Sequence, residues 1–248
     1  MNQVYMAIDI ETTGLNPNED KIIEIGAIIM KEGDEIARFS KLIQPCMKLP
    51  ERIVKLTGIT DEMLLGQEKE SEVILKFLDF CTENMQTFKE KDLILGHNIA
   101  FDHSFLKAAA VRANRSFERR ALDTLRISRR CHMELPSKNL DSMCAHYQIQ
   151  RERSHRAIED AIAAAQLYEK LKENFLEKDP EAFIPELMHF VPKKQEPMTK
   201  KQKKYLLDLI SYHQLTVPEN LDEFTKSKAS KTIDRIIFEH GMLSRKSQ

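Results

Sequence analysis

The opening third of the chain constrains the fold most. "VYMAIDI" (4–10), "KIIEIGAIIM" (21–30) and "EIARFSKLI" (35–43) are three Ile- and Val-rich runs bounded by Gly, Asn and Pro, the pattern of consecutive strands. The segments between them, "GLNPNED" and "KEGDE", are of hairpin length. The period then changes. "PERIVKLTG" opens on Pro50, and "TDEMLLG" offers Thr60 or Asp61 as a cap. From Ser71 to about Asn84, apolar residues at 73, 74, 77, 78 and 81 mark one buried helix face. A fourth strand, "DLILG" (92–96), runs into a helix beginning near Phe101. "RALDTLRISRRC" reads as a short fifth strand ending near Leu122 and then a helix, with further helices over Lys138–Tyr147 and Arg156–Asn174. Three antiparallel strands followed by strand–helix alternation predict an α/β fold: a mixed five-stranded sheet flanked by helices. Sites in such sheets gather at strand ends and edges.

Beyond about residue 178 the character shifts. We expect a main domain over 1–178, a connecting segment over 179–198 and a small basic helical module over 199–248. In the module, Tyr205, Leu206, Leu209 and Ile210 form one apolar stripe; Ala229, Ile233, Ile236, Ile237 and His240 form another, ended by Gly241, with Ser227 as its expected N-cap. From Lys193 to Gln248 there are 12 Lys/Arg against 7 Asp/Glu, although the whole chain carries a net charge of -1. A basic tail on an acidic body fits a metal-binding core joined to something that meets polyanions; it also fits two ordinary solvated surfaces.

The 248 residues, 42% hydrophobic and 31% charged, suit a globular protein rather than a disordered one. No apolar run approaches the roughly 18–20 residues of a membrane span, so no membrane role is expected, and we read no export leader in "MNQVYMAIDI". Cys46, Cys81, Cys131 and Cys144 lie far apart without a CxxC pair. Free thiols in a reducing cytoplasm are the expectation.

Five residues are the candidates for chemistry. Asp9 and Glu11 stand two apart in a strand and so leave the same face. Two carboxylates on one face repel unless a cation or proton neutralises them, and hard Mg²⁺ or Mn²⁺ prefers such oxygens. A wet strand end would look the same. "TTGL" (12–15) puts hydroxyls and a glycine in the following turn, where backbone N–H groups could meet a phosphate and Leu15 a base; Gly14 could equally serve the turn alone. Asp102 follows "GHN" at a helix start, where the helix dipole also favours an acid. Phe101 and Phe105, four apart, suit the core as well as a base. His155 and Asp160, five apart, would fall on different helix faces, so His155 belongs in the polar "RERSHR" loop before the helix. A histidine is the side chain suited to accept a proton from water near neutral pH. The small-residue run "AIAAA" (161–165) lets the helix pack closely on the strand bearing Asp9.

Jointly, "IDIETTGL", "IIEIGAI", "GHNIAFDHSFL", "LDTL", "LDSMCAHYQI" and "HRAIEDA" resemble the DEDDh branch of the DnaQ-like 3′–5′ exonucleases, the family of the epsilon proofreading subunit of bacterial DNA polymerase III and the PolC exonuclease domain. The likeness spans about residues 3–172. Arg156 stands where the tyrosine-type branch would carry its Tyr, so the histidine branch is indicated. Many relatives have a small residue at that position, so access around His155 is expected to differ.

The resemblance implies a ribonuclease H-like sheet and two divalent metal ions, Mg²⁺ or Mn²⁺. Asp9, Glu11 and Asp160 would hold the first, and Asp9 with Asp102 the second. His155 would be the general base. Thr12, Thr13, Leu15, His97, Asn98 and Phe101 would line the terminal-nucleotide pocket. The implied reaction releases nucleoside 5′-monophosphates from single-stranded 3′ ends, of DNA before RNA, in replication proofreading or repair beside a DNA polymerase or another repair protein. An RNA-trimming exonuclease is the alternative enzyme. A non-catalytic nucleic-acid-binding subunit is the alternative from another class, one expected to lack at least one of the five residues.

Overall fold

The computed structural model describes residues 4–89, 91–151, 155–193, 196–218 and 221–243. Most of the arginine-bearing loop before His155 (152–154) and part of the proline-bearing linker (194–195) lie outside them. The chain divides into two compact units, Met1–Pro192 and Lys193–Gln248.

The first unit is built on a sheet of order β3-β2-β1-β4-β5-β6. Strands β1 (Val4–Thr12), β2 (Ile22–Lys31) and β3 (Asp34–Leu42) form the expected antiparallel meander. Strand β4 (Leu93–Gly96) runs parallel to β1, and β5 (Arg120–Asp123) parallel to β4. The sheet has six strands rather than five: Glu186–Leu187 (β6) pairs antiparallel with β5, preceded by a 3₁₀ turn at Pro180–Phe183. This stretch was expected to be connecting segment. Its two-residue strand is too short for any alternation to show. What holds it is tertiary: Ala182 and Phe183 are buried, and Arg126 pairs with Glu186 and donates to the carbonyls of Ala182 (3.3 Å) and Ile184 (2.9 Å).

Helices follow the strands as the periodicity predicted: α1 (Glu51–Thr57), α2 (Asp61–Leu64, capped by Thr60), α3 (Glu70–Met85), α4 (Ala100–Arg112), α5 (Thr124–Cys131), α6 (Leu140–Tyr147) and α7 (Ala157–Phe175). Alternation along β1 divides the core. Met6, Ile8 and Ile10 pack with Val73, Phe77, Phe105 and Leu106 on one face. Tyr5 and Ala7 pack with Leu167, Tyr168 and Leu171 on the other. Helix α7 lies almost against the sheet: a Cβ on Gly26 would stand 2.2 Å from the Ile158 nitrogen. Glycine on the strand and Ala161, Ala164 and Ala165 on the helix make that approach possible.

In the second unit, α8 (Lys200–Tyr212) and α9 (Lys226–His240) bury Leu206, Leu209, Ile210, Phe224, Ala229, Ile233 and Ile236. Thr199 and Gln202 form a reciprocal capping box. The N-cap of α9 is Thr225, not Ser227: its side chain accepts from the Lys228 N–H at 3.2 Å. The chain stays extended to Thr225 because Thr225 bridges Pro197 and the Lys226 N–H bonds the Glu196 carbonyl, so the helix turns two residues earlier than local sequence suggests. Gly241, at φ 94°, ends it. The four cysteines are free, and no helix among the described residues is long and apolar enough to cross a membrane.

Candidate active site

The site begins where β4 stops. Its pairing with β1 ends at Ala7↔Leu95, so β1 runs on beyond it with Asp9 and Glu11 on the face of Tyr5 and Ala7. The Ile10 N–H, past the last β4 partner, is taken by the buried Asp102 carboxylate at 3.0 Å. Asp102 reaches it from the first turn of α4. Across the β1–β2 pair, Asp9 faces Gly26 and Glu11 faces Glu24.

Helix α7 brings the remaining groups. Glu24 is 1% exposed and accepts from the Ala157 N–H (3.1 Å) and from Arg156 Nη2 (2.8 Å) and Nε (3.1 Å). The start of α7 is thereby clamped to β2. Arg156 is thus committed to Glu24. His155 sits just before the helix at φ 59°, and its own N–H donates to Asp160 Oδ2 at 3.1 Å. Asp160 Oδ1 takes Arg151 Nη1 at 2.6 Å. Among the described residues, ligand atoms of Glu11, His155 and Asp160 lie within 4.8 Å of one another. Asp9 and Asp102 stand outside that trio but act on it electrostatically.

Burial raises the pKa of all four carboxyl groups, and their mutual repulsion adds to it in three. Asp9 is pushed well above the usual range by burial, then by Asp102, Asp160, Glu11 and Glu24. Glu11 is pushed up to about 8 by burial, Asp160 and Glu24, against the pull of Arg156. Asp102 is raised by burial, with Glu11 and Asp123 adding to it and backbone N–H groups opposing. Asp160 is raised by burial and held back by Arg151. Carboxylates crowded this way at a strand end need a cation or protons. The donors are hard oxygens with one imidazole beside them, which fits Mg²⁺ or Mn²⁺.

The expected nucleotide-pocket residues divide into two sets. Thr12 and Thr13 are buried. The Thr12 hydroxyl donates to the Gly14 carbonyl, that of Thr13 accepts the Lys21 N–H at 3.0 Å, and the Thr13 N–H is spent on the Lys21 carbonyl. These groups shape the loop from within. A Cβ on Gly14 would strike the Asp20 carboxylate at 2.4 Å, so this glycine makes room for the side chain that ties the loop through the Asn16 N–H (2.8 Å). Leu15 is 78% exposed at the loop tip. His97 Nδ1 lies 2.9 Å from Thr124 Oγ1, and burial pushes its pKa down to about 4, so it is neutral at pH 7. Asn98 adopts φ 68° and gives its N–H to Asp123. Phe101 is half-buried with its ring 4.9 Å from that of Phe105, which is fully buried.

Three residues around the site escaped the sequence reading. Glu24 carried a signal, a lone acid in an otherwise apolar strand. Asp123 caps α5 and ties the turn at 98. Arg151, bridging Asp160 and Asp141, offered no local pattern.

A family model described as "Exonuclease" matches residues 6–168. The PolC-type DNA polymerase III of Clostridium perfringens is 34% identical over 173 residues, 68% of this chain and 11% of that protein. The PolC-type DNA polymerase III of Latilactobacillus sakei is 36% identical over 174 residues, 70% of this chain and 12% of that protein. The matched segment is thus about an eighth or less of these relatives' length. In fold, the chain is similar to exonuclease I of E. coli solved as a single-stranded DNA complex with zinc (TM-score 0.62, 20% identity, 71% of this chain and 41% of that one). It is also similar to exonuclease X solved with 5′-overhanging duplex DNA (TM-score 0.54, 18% identity, 69% and 92%).

Proposed function

This chain belongs to the exonuclease family of DnaQ-like 3′–5′ nucleases, and we propose that it removes nucleotides one at a time from single-stranded DNA 3′ ends by a two-metal mechanism, in replication proofreading or repair. One observation carries this reading: Glu11, His155 and Asp160 present ligand atoms within 4.8 Å of one another, beside two further carboxyl groups, Asp9 and Asp102, whose pKa values are raised.

In this reading Asp9, Glu11 and Asp160 would hold one divalent ion, and Asp9 with Asp102 would hold the other. When bound, such a pair supplies an activated water and neutralises charge at the scissile phosphate. The chain's own groups do the rest. His155, at the loop end before α7, accepts the proton of the attacking water. Its N–H bond to Asp160 holds the loop end beside the carboxylates. Neutral His97 offers a hydrogen bond without adding charge, and exposed Leu15 offers an apolar edge for the terminal base. Glu24 and Arg156 position the start of α7.

The basic second unit would bind phosphates without sequence preference; Arg112, Arg120, Arg126 and Arg130 of the first unit are already paired with Glu70, Asp92, Glu186 and Asp179. The likeness to PolC-type polymerases supports a DNA polymerase or another replication or repair protein as partner. The test is a gel assay with 5′-labelled DNA and RNA strands of equal sequence, in Mg²⁺, Mn²⁺ or EDTA. We expect a ladder of shortened DNA with either metal and intact strands in EDTA. Faster trimming of RNA would reassign the substrate, and digestion in EDTA would end the metal reading.

A further inference from the structure

Two residues that precede α7, Arg151 and His155, hold the Asp160 carboxylate. The His155 N–H takes Oδ2 and the Arg151 guanidinium takes Oδ1 at 2.6 Å. Both partners of the ion pair are nearly sealed, with the Arg151 side chain 10% and that of Asp160 9% exposed. The other arm of Arg151 pairs with Asp141 in the first turn of α6, whose side chain is 58% exposed. A buried carboxylate without a partner is costly, and this guanidinium meets that need at one of the two oxygens open to a cation. A divalent ion coordinated by Asp160 would lie about 2.1 Å from its oxygen, leaving two positive groups on one carboxylate.

We propose that Arg151 is a resident counter-cation of the site, exchanged for the divalent ion at Asp160 and retained by Asp141 after the exchange. The inference rests on the metal-binding reading of Asp160 given above. Asp141 makes the exchange inexpensive: the guanidinium gives up one carboxylate and keeps the other, so it need not be released unpaired. Metal affinity is thereby set against an internal competitor rather than by the ligands alone.

Calorimetric titration of the full chain with Mn²⁺, without substrate, tests this. Arg151→Gln removes the competitor and should tighten Mn²⁺ binding on the order of tenfold. Arg151→Lys keeps a cation at the site and should stay within about threefold of wild type. Asp141→Asn, which removes the alternative partner, should weaken binding in the wild-type background and change it little beside Arg151→Gln, since it acts through the arginine. Thermal melts show which variants are folded, and Arg151→Met stands in should Arg151→Gln fail to fold. Unchanged or weaker Mn²⁺ binding in the folded arginine-lacking variant overturns the proposal. An equal effect of Asp141→Asn in both backgrounds overturns the role of Asp141. Asp160→Asn separates the two readings: if it binds Mn²⁺ as wild type does, the metal assignment itself fails, whereas weakened binding there with no gain from Arg151→Gln removes the competitor alone.

Discussion

Asp9, Glu11, Asp102 and Asp160 share one cost, burial, compounded among them by repulsion, and their behaviour follows from it. Asp9→Ala or Asp160→Ala should reduce hydrolysis to background while the melting temperature stays near wild type or rises in chelator. Near-normal turnover in either variant would remove that residue from the metal site. His155→Ala should lower kcat by about 10²–10⁴, the usual worth of a positioned base, with KM changed little; unchanged turnover from pH 6 to 9 would dismiss it as the base. Without metal, stability should depend on pH with a definite sign. The carboxyl of Glu11 has an ordinary value of 4.5 and is pushed up to about 8, so the folded chain binds the extra proton between those limits. Its contribution is full below about 4.5 and is lost as pH rises through about 8. Asp9 and Asp102 act in the same direction. Melting in EDTA should therefore fall from pH 5 to 8.5, and Mn²⁺ should raise it most at the alkaline end. A flat profile in EDTA would contradict the crowding.

Strands and helices place those acids through a few close approaches. Gly26 is the tightest among the glycines: a methyl there meets the backbone of Ile158, which cannot yield as a flexible side-chain tip would. Gly26→Ala should destabilise by about 1–3 kcal/mol and also reduce turnover, because the start of α7 moves away from β1 with Asp160 on it. Chemical denaturation and single-turnover assays on the same sample would check both. A loss of stability with unaltered turnover would mean that the helix position is not what sets the site. The contact illustrates what local pattern conveys. The Ile/Val runs of β1 to β3, the one-faced spacing of α3 and the alanines of α7 all declared their elements, since each is a short-range preference. The sixth strand, β6, and the early start of α9, capped by Thr225, did not. Both depend on groups brought from elsewhere, Arg126 in one case and the bridge to Pro197 in the other.

The two units differ in charge, with acidic residues in excess in the first and lysines and arginines in excess in the second. Deleting 193–248 should weaken binding of single-stranded DNA and flatten its salt dependence while leaving the intrinsic cleavage rate of bound substrate nearly unchanged. Fluorescence anisotropy across a salt series would register this, and identical curves would make the second unit a docking or structural element instead. The strand–helix order and the basic tail were legible in the linear chain, because residue type, spacing and period are local properties; the five acidic and histidine positions were proposed there from their joint resemblance to the family's motifs. The β6 strand, the Glu24–Arg156 clamp and the Arg151–Asp160–Asp141 bridge were not. Glu24 and Arg156 are 132 positions apart, and no short window records that a sheet and a helix will bring such partners into contact. Ion pairing at a buried site is decided by which surfaces close over it, and that exists only once the chain has folded.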